Sequence, residues 1–304
     1  MKYFKEFKKF KLDLNTKGNV KFSPDCINIA LSTDSYIIQI WDIKSEKKIQ
    51  SLVGHSNLIY GFQYSANGKE IMSCSKDSTI RLWNVKSGQE MKQIKINMSN
   101  ITHGQFSGDG IQCLFVSDGL IRIFAAESGK EIRTFRSDTT KINDIRFSPD
   151  GNILAFIAQY GLIQLWSVQT GSELMKLSHY FSDIATIQFS PDGDIIATIA
   201  KNGKIQLWDT MSGKEVQAIQ TKTKLSYPYY SNYDINMEVR FTSDGQMLVS
   251  CVESSKIQLW DLKVAMELQE LKEYSKITGF DISPDNNIIV SCFCDKIVQL
   301  WKSF

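Results

Sequence analysis

Histidine, proline and cysteine are scarce in this 304-residue chain, at three, five and six. Three histidines leave little material for an imidazole-based catalytic or metal centre. Six cysteines, none in a CxxC pair, are too sparse for a secreted disulfide scaffold and point to a reducing compartment, with the cytoplasm expected and the nucleus as the alternative. No apolar run reaches the roughly 18 residues of a membrane-spanning helix. The start, Met1-Lys2-Tyr3-Phe4-Lys5-Glu6-Phe7, is interrupted by charge where a signal peptide would be apolar. No glycine-rich phosphate loop, HExxH or GxSxG occurs, so neither an enzyme nor a cofactor or metal site is expected. The 35 basic and 33 acidic side chains sum to +2, which supplies no global field to hold nucleic acid or an anionic membrane; only a local basic patch would. With 42% hydrophobic and 22% charged residues, the composition is that of a globular protein, not a disordered or collagen-like one.

What is present is a period. Trp41, Trp83, Trp166, Trp208, Trp260 and Trp301 recur at spacings of 42, 83, 42, 52 and 41, and Phe124 fills the place missing from the double gap. Self-similarity at about 40 to 45 residues marks a repeat architecture. A polar turn precedes each aromatic: Ser23-Pro24-Asp25-Cys26, Ser65-Ala66-Asn67-Gly68, Ser107-Gly108-Asp109-Gly110, Ser148-Pro149-Asp150-Gly151, Ser190-Pro191-Asp192-Gly193, Thr242-Ser243-Asp244-Gly245 and Ser283-Pro284-Asp285-Asn286. Proline presets φ, aspartate bonds its own backbone and glycine accepts the left-handed conformation, so each reads as a reversal between strands. Alternating segments such as Ile142-Asn143-Asp144-Ile145-Arg146-Phe147 and Lys204-Ile205-Gln206-Leu207-Trp208 read as half-buried strands. A second turn follows most tryptophans, and beyond it apolar residues three apart (Met91 and Ile94, Ile132 and Phe135, Leu174 and Leu177, Val216 and Ile219) mark a fourth strand. Seven four-stranded units in one ring use the whole chain.

In these features the sequence resembles the WD-repeat β-propellers. Trp41-Asp42, Trp208-Asp209 and Trp260-Asp261 carry the dipeptide, Trp83-Asn84 nearly so, and the second unit adds Gly54-His55, Ser75 and Lys76-Asp77. The resemblance implies an all-β fold: a single seven-bladed β-propeller over residues 1–304 with four-stranded antiparallel blades. It also implies a hydrogen-bonded tetrad of His55, Ser75 (or Ser73), Asp77 and Trp83. The other units lack the histidine, and Ser35, Tyr160, Asn202 or Ser254 stands at the aspartate place; those blades are expected to rely on apolar packing. Asp118 and Asp295 keep the aspartate without the histidine.

Only Lys302-Ser303-Phe304 follows Trp301, whereas Glu6-Phe7-Lys8-Lys9-Phe10 matches Glu131-Ile132-Arg133-Thr134-Phe135 position for position. Residues 1–12 are therefore expected to form the outermost strand of blade seven, burying Phe7 and Phe10 and closing an otherwise open edge. A strand so near Met1 gives the expectation of a complete closed protein. Its lysines read as the solubilising charge of an edge strand.

Cys74, Cys251 and Cys292 occupy one position in three blades, too far apart to share an ion, and read as small buried hydrophobes. His179 sits one residue off the tetrad place and His103 at the rim. In the family, the loops from outer to next inner strand and those before the tryptophan strand share a top face. Alignment on the turns puts Gly18, Tyr60, Thr102, Asn143, Ala185, Met237 and Thr278 there, beside His103, Asp144 and Glu238, with Asp34, Lys76, Gln159, Lys201 and Glu253 from the other loops. The long spacing between Trp208 and Trp260 is an insertion at 221–234, expected on the top face, that holds Tyr227, Tyr229, Tyr230 and Tyr233, to be read either as a partner contact or as packing onto blade six. The function expected is a non-enzymatic scaffold or adaptor, monomeric alone, that binds proteins or peptides on its top face and rim and no membrane. The alternatives are a nucleic-acid or chromatin-associated propeller, and a ubiquitin-ligase substrate receptor. For the receptor, Trp41-Asp42-Ile43-Lys44 and Trp260-Asp261-Leu262-Lys263 end in lysine where arginine is favoured.

Overall fold

A computed structural model describes residues 2–177, 184–221, 237–252, 255–272 and 275–304. The chain is all-β, with seven four-stranded antiparallel blades of a β-propeller. Among the described residues the only helical piece is the turn Gln159–Gly161, and no helix is long and apolar enough to cross a membrane. Blades one to six span 16–52, 59–95, 103–136, 142–177, 184–220 and 238–272, each with its strands in sequence order. Blade seven takes Ile277–Ile282, Ile288–Phe293 and Ile297–Ser303 and receives Phe4–Lys11 as its outermost strand.

The second strand of each blade is covered on both faces, which explains its loss of alternation. Ile153–Ala158 reads Ile-Leu-Ala-Phe-Ile-Ala and is buried from Leu154 onward. The polar turns are clipped the same way seven times. In blade one Ser23 Oγ donates to Asp25 Oδ1 at 2.5 Å and accepts from the Asn28 amide at 2.9 Å. Ser148 and Ser283 repeat both bonds. The fourth turn residue is left-handed, as Gly151 (φ 72°) requires, and Cys26 (φ 60°) and Asn286 (φ 57°) adopt the same strained conformation.

The fourth strands bulge opposite the tryptophan. In blade five Leu207 pairs with Gln217 and Trp208 with Glu215, so Val216 has no register partner. Met91, Ile132, Leu174 and Val216 all occupy this bulge and are exposed, whereas Phe135, Leu177 and Ile219 turn into the core. The amino-terminal strand repeats the device, with a register shift between Glu6 and Lys8. This corrects the expectation for Phe7: it sits on the bulge and is 42% exposed, whereas Phe4, at 2%, and Phe10 are the buried phenylalanines of the strand. Phe10 stacks on Trp41 of blade one with ring centroids 5.4 Å apart.

The blades group into two compact units, residues 1–138 with 278–304, and residues 139–277. In the first, the core between blades seven and one holds Phe10, Val20, Ile29, Leu31, Val290 and Leu300, and that between two and three holds Cys74, Ile80, Phe106, Cys113 and Phe115. Here Gly279 packs so closely on Gly18 that a Cβ would lie 1.8 Å from the Gly18 carbonyl oxygen. In the second unit Ile157, Ile163, Ile187 and Trp208 form the core between blades four and five, and Ile199, Ile205, Val239 and Trp260 that between five and six.

Candidate functional site

Blade two assembles the polar relay. Trp83 Nε1 donates to Ser73 Oγ at 2.8 Å, His55 Nε2 lies 2.7 Å from the same oxygen, and His55 Nδ1 lies 2.7 Å from Asp77 Oδ2. Only one proton arrangement satisfies every member: Nδ1–H donates to the carboxylate and the serine hydroxyl donates to Nε2. Burial alone would raise the Asp77 carboxyl, but bonds from His55 and Thr79 outweigh it and hold it well below the usual carboxylate range. The hydroxyl of the relay is therefore Ser73 and not Ser75. Ser75 lies two residues along the same strand, and its Oγ donates to the Asn57 carbonyl and accepts from the Asp77 amide, fixing the turn beneath the relay.

Blades five, six and seven lack the histidine but keep half of this device, where apolar packing alone was expected. Thr198, Ser250 and Ser291, each ten residues before its tryptophan, accept the indole N–H of Trp208, Trp260 and Trp301 at 3.1, 2.8 and 3.0 Å. A buried indole N–H needs an acceptor, and the β-turn spacing delivers one. In blade one Leu31 stands at that place, and Gln39 Oε1 takes the Trp41 proton instead. The hydroxyl ten residues upstream was the sequence signal for this bond.

A second regularity ties the third strand to the fourth. The residue two before the aromatic reaches a glutamate at the start of the next strand: Arg81 to Glu90, Arg122 to Glu131, Gln206 to Glu215 and Gln258 to Glu267. Beside the blade-two relay an open cleft of about 370 Å³ is lined by Ser56, Asp77, Thr79, Arg81, Gln93 and Lys95.

The residues expected on the loop face divide into two groups. Lys76 and Thr102 in the first unit are exposed, as are Asn143, Gln159 and Lys201 in the second, and His103 and Glu238 are half-buried. Backbone bonds join two loops within a blade: the Lys76 amide bonds the Leu58 carbonyl, and the Asp34 amide bonds that of Asn15. Other residues are turned inward. Tyr60 Oη donates to the Ile101 carbonyl of blade three, and burial pushes its phenol up to about 12. Asp144 is 7% exposed and accepts from Thr186 Oγ1 and the Ile187 amide of blade five at 2.9 and 3.1 Å. Met237 packs into the core between blades five and six. Tyr60 and Asp144 thus join neighbouring blades by satisfying buried polar groups, and Met237 does so by apolar contact. Thr278 does likewise, its hydroxyl 2.5 Å from that of Thr16. His179, Glu253, Ser254 and the four tyrosines of the insertion lie outside the described residues.

Cys74, Cys251 and Cys292 are buried at equivalent places, and Cys74 meets a different thiol, Cys113 of blade three. Burial and this contact raise the Cys113 thiol well above its ordinary range. Among the described residues no group of three or more His, Cys, Asp or Glu is placed to hold a metal ion.

Shorter stretches of the chain are similar to curated proteins. The SAGA complex/transcription factor TFIID complex subunit Taf5 of Schizosaccharomyces pombe is 33% identical over 84 residues, 23% of this chain and 13% of that protein. Apoptotic protease-activating factor 1 of Danio rerio is 32% identical over 76 residues, 24% of this chain and 6% of that protein. An uncharacterized WD repeat-containing protein of Synechocystis is 28% identical over 100 residues, 33% of this chain and 28% of that protein. The matched stretches thus span between 6% and 28% of these relatives. One family profile covers nearly the whole sequence, that described as IFT122 first beta-propeller, which matches residues 18–302. With seven blades, the tryptophan relay and that match, the chain is a WD-repeat β-propeller and belongs to the IFT122 first beta-propeller family.

Proposed function

We propose that this chain is a non-catalytic interaction domain that operates as one module within a multiprotein assembly and captures protein partners on its loop face and rim. The observation that carries this reading is the contrast between core and loops. Core positions repeat the same chemistry, with the clipped turn in all seven blades and a hydroxyl acceptor for the indole in four. Equivalent exposed loop positions differ, with Lys76, Gln159 and Lys201 at one place in the repeat and Thr102 and Asn143 at another. Exposed loop residues that differ in size and polarity from blade to blade suit recognition of a particular polypeptide. The naming of one relative as a complex subunit supports the same class of role.

The test is affinity capture with the wild-type chain and with a variant carrying Lys76→Glu, Thr102→Arg, Asn143→Arg and Lys201→Glu. Loss of specific partners at an unchanged melting temperature supports the reading. A folded variant that retains every partner overturns it.

A further inference from the structure

We infer that the outer edge of blade seven, the strand Phe4–Lys11, is a docking site for an acidic, extended segment of a protein partner, which joins the blade as a fifth strand. This surface is distinct from the loop face, so the inference stands or falls separately from the function proposed above.

Charge is the first support. Residues 2–11 hold Lys2, Lys5, Lys8, Lys9 and Lys11 against Glu6, five positive less one negative, or +4. The whole chain carries +2, so everything outside this segment sums to −2. The net positive charge of the chain is therefore concentrated on this strand and the lysine just before it.

Backbone geometry is the second. Among the described residues the strand is terminal in its sheet and pairs only with Ile297–Ser303. The Leu12 amide bonds the Lys296 carbonyl at one end, and the Phe304 amide bonds the Tyr3 carbonyl at the other. Antiparallel alternation from those two pairs turns the N–H and C=O of Lys11 and of Glu6 away from Ile297–Ser303, toward the outer edge. An edge that offers both donors and acceptors is answered by another polypeptide strand. A phosphodiester backbone supplies acceptors alone.

The third is the bulge, which lifts Phe7 out of the core with Lys8 and Lys302 ammonium groups 5.8 and 5.1 Å from its ring centre. A ring framed by cations suits a segment in which apolar and carboxylate side chains alternate. Lysines on an edge discourage pairing with neutral or basic strands, including the edges of other copies. The same charges favour a strand rich in carboxylates, which makes the edge selective.

Fluorescence anisotropy of the full chain with a labelled eight-residue peptide of alternating Glu and Val, matched in length to the strand, tests this. The expected result is saturable binding that weakens about tenfold or more with added salt, and little binding of the Gln/Val counterpart. Lys5→Glu with Lys9→Glu should weaken binding about tenfold. Lys11→Pro, which deletes an outward N–H at an edge position that tolerates proline, should weaken it more than Lys11→Gln does. If the proline variant melts early, the charge-reversal variant carries the test. Equal binding of the Gln/Val peptide, absence of binding by the acidic one, or a labelled oligothymidylate that outcompetes it would each overturn the inference. In each of those cases the partner capture by the loop face is unaffected.

Discussion

Ser73 Oγ stands between two buried rings, 2.8 Å from Trp83 Nε1 and 2.7 Å from His55 Nε2, accepting from the first and donating to the second. One hydroxyl thereby completes a continuous donor chain from the indole to the Asp77 carboxylate. Ser73→Ala should cost about 3 kcal/mol, because two buried groups lose their partners at roughly 1 to 3 kcal/mol each. Ser75→Ala, which loses only turn bonds, should cost about 1 kcal/mol. Chemical denaturation of the two variants checks the difference, and equal losses would refute the assignment of Ser73.

The Asp77 carboxyl gives the relay a pH signature. Its folded pKa lies below the unfolded value of about 3.9, so the unfolded chain binds the proton more readily. Its contribution is complete above that pH and fades as pH falls toward the folded value. Asp77→Asn should therefore lower stability at neutral pH and flatten the loss of stability below about pH 4. Melting temperatures measured across the acid range will show whether the two curves converge there.

Blade seven predicts unequal roles for two phenylalanines three residues apart. Phe10 is buried against Trp41 and Phe7 rides the exposed bulge. Phe10→Ala should destabilise by about 3 to 5 kcal/mol. Phe7→Ala should cost below about 1 kcal/mol, the scale of its exposed cation contacts. Urea titration of both would expose an error in the strand register if the order were reversed.

Two glycines offer a steric control. A methyl at Gly279 would meet the Gly18 backbone at 1.8 Å, whereas one at Gly61 would find only ordinary contacts, 3.5 Å to the Gly104 carbonyl and 3.8 Å to Cys74 Sγ. Gly279→Ala should cost more than about 2 kcal/mol, since backbone must move. Gly61→Ala should be nearly neutral or slightly stabilising through the unfolded state. Thermal melts of the pair decide it.

The repeat, the strand count and the amino-terminal addition to blade seven were legible because period, turn chemistry and alternation are local signals. The position of Phe7 was not, because a single bulge inverts which side chains face inward without altering the pattern of apolar residues. Ser73 and Ser75 lie on the same face of one strand, and it is comparison across blades, where the acceptor stands ten residues before the tryptophan, that singles out Ser73. Asp144 and Tyr60 look like surface residues by sequence, and only the wedge of neighbouring blades turns them into latches. What the loops bind was the least legible of all, since recognition depends on a partner whose chemistry the chain does not spell out.

The pairing of Phe4–Lys11 with Ile297–Ser303 also sets the order in which the molecule can assemble. It joins segments almost 300 residues apart, the largest loop closure in the fold, and such contacts form late. During synthesis at about 5 to 20 residues per second, the first strand waits roughly 15 to 60 seconds for its neighbour. Throughout that interval Phe4 and Phe10 have no core to enter, and the lysines between them are what keep the nascent segment from adhering to other chains.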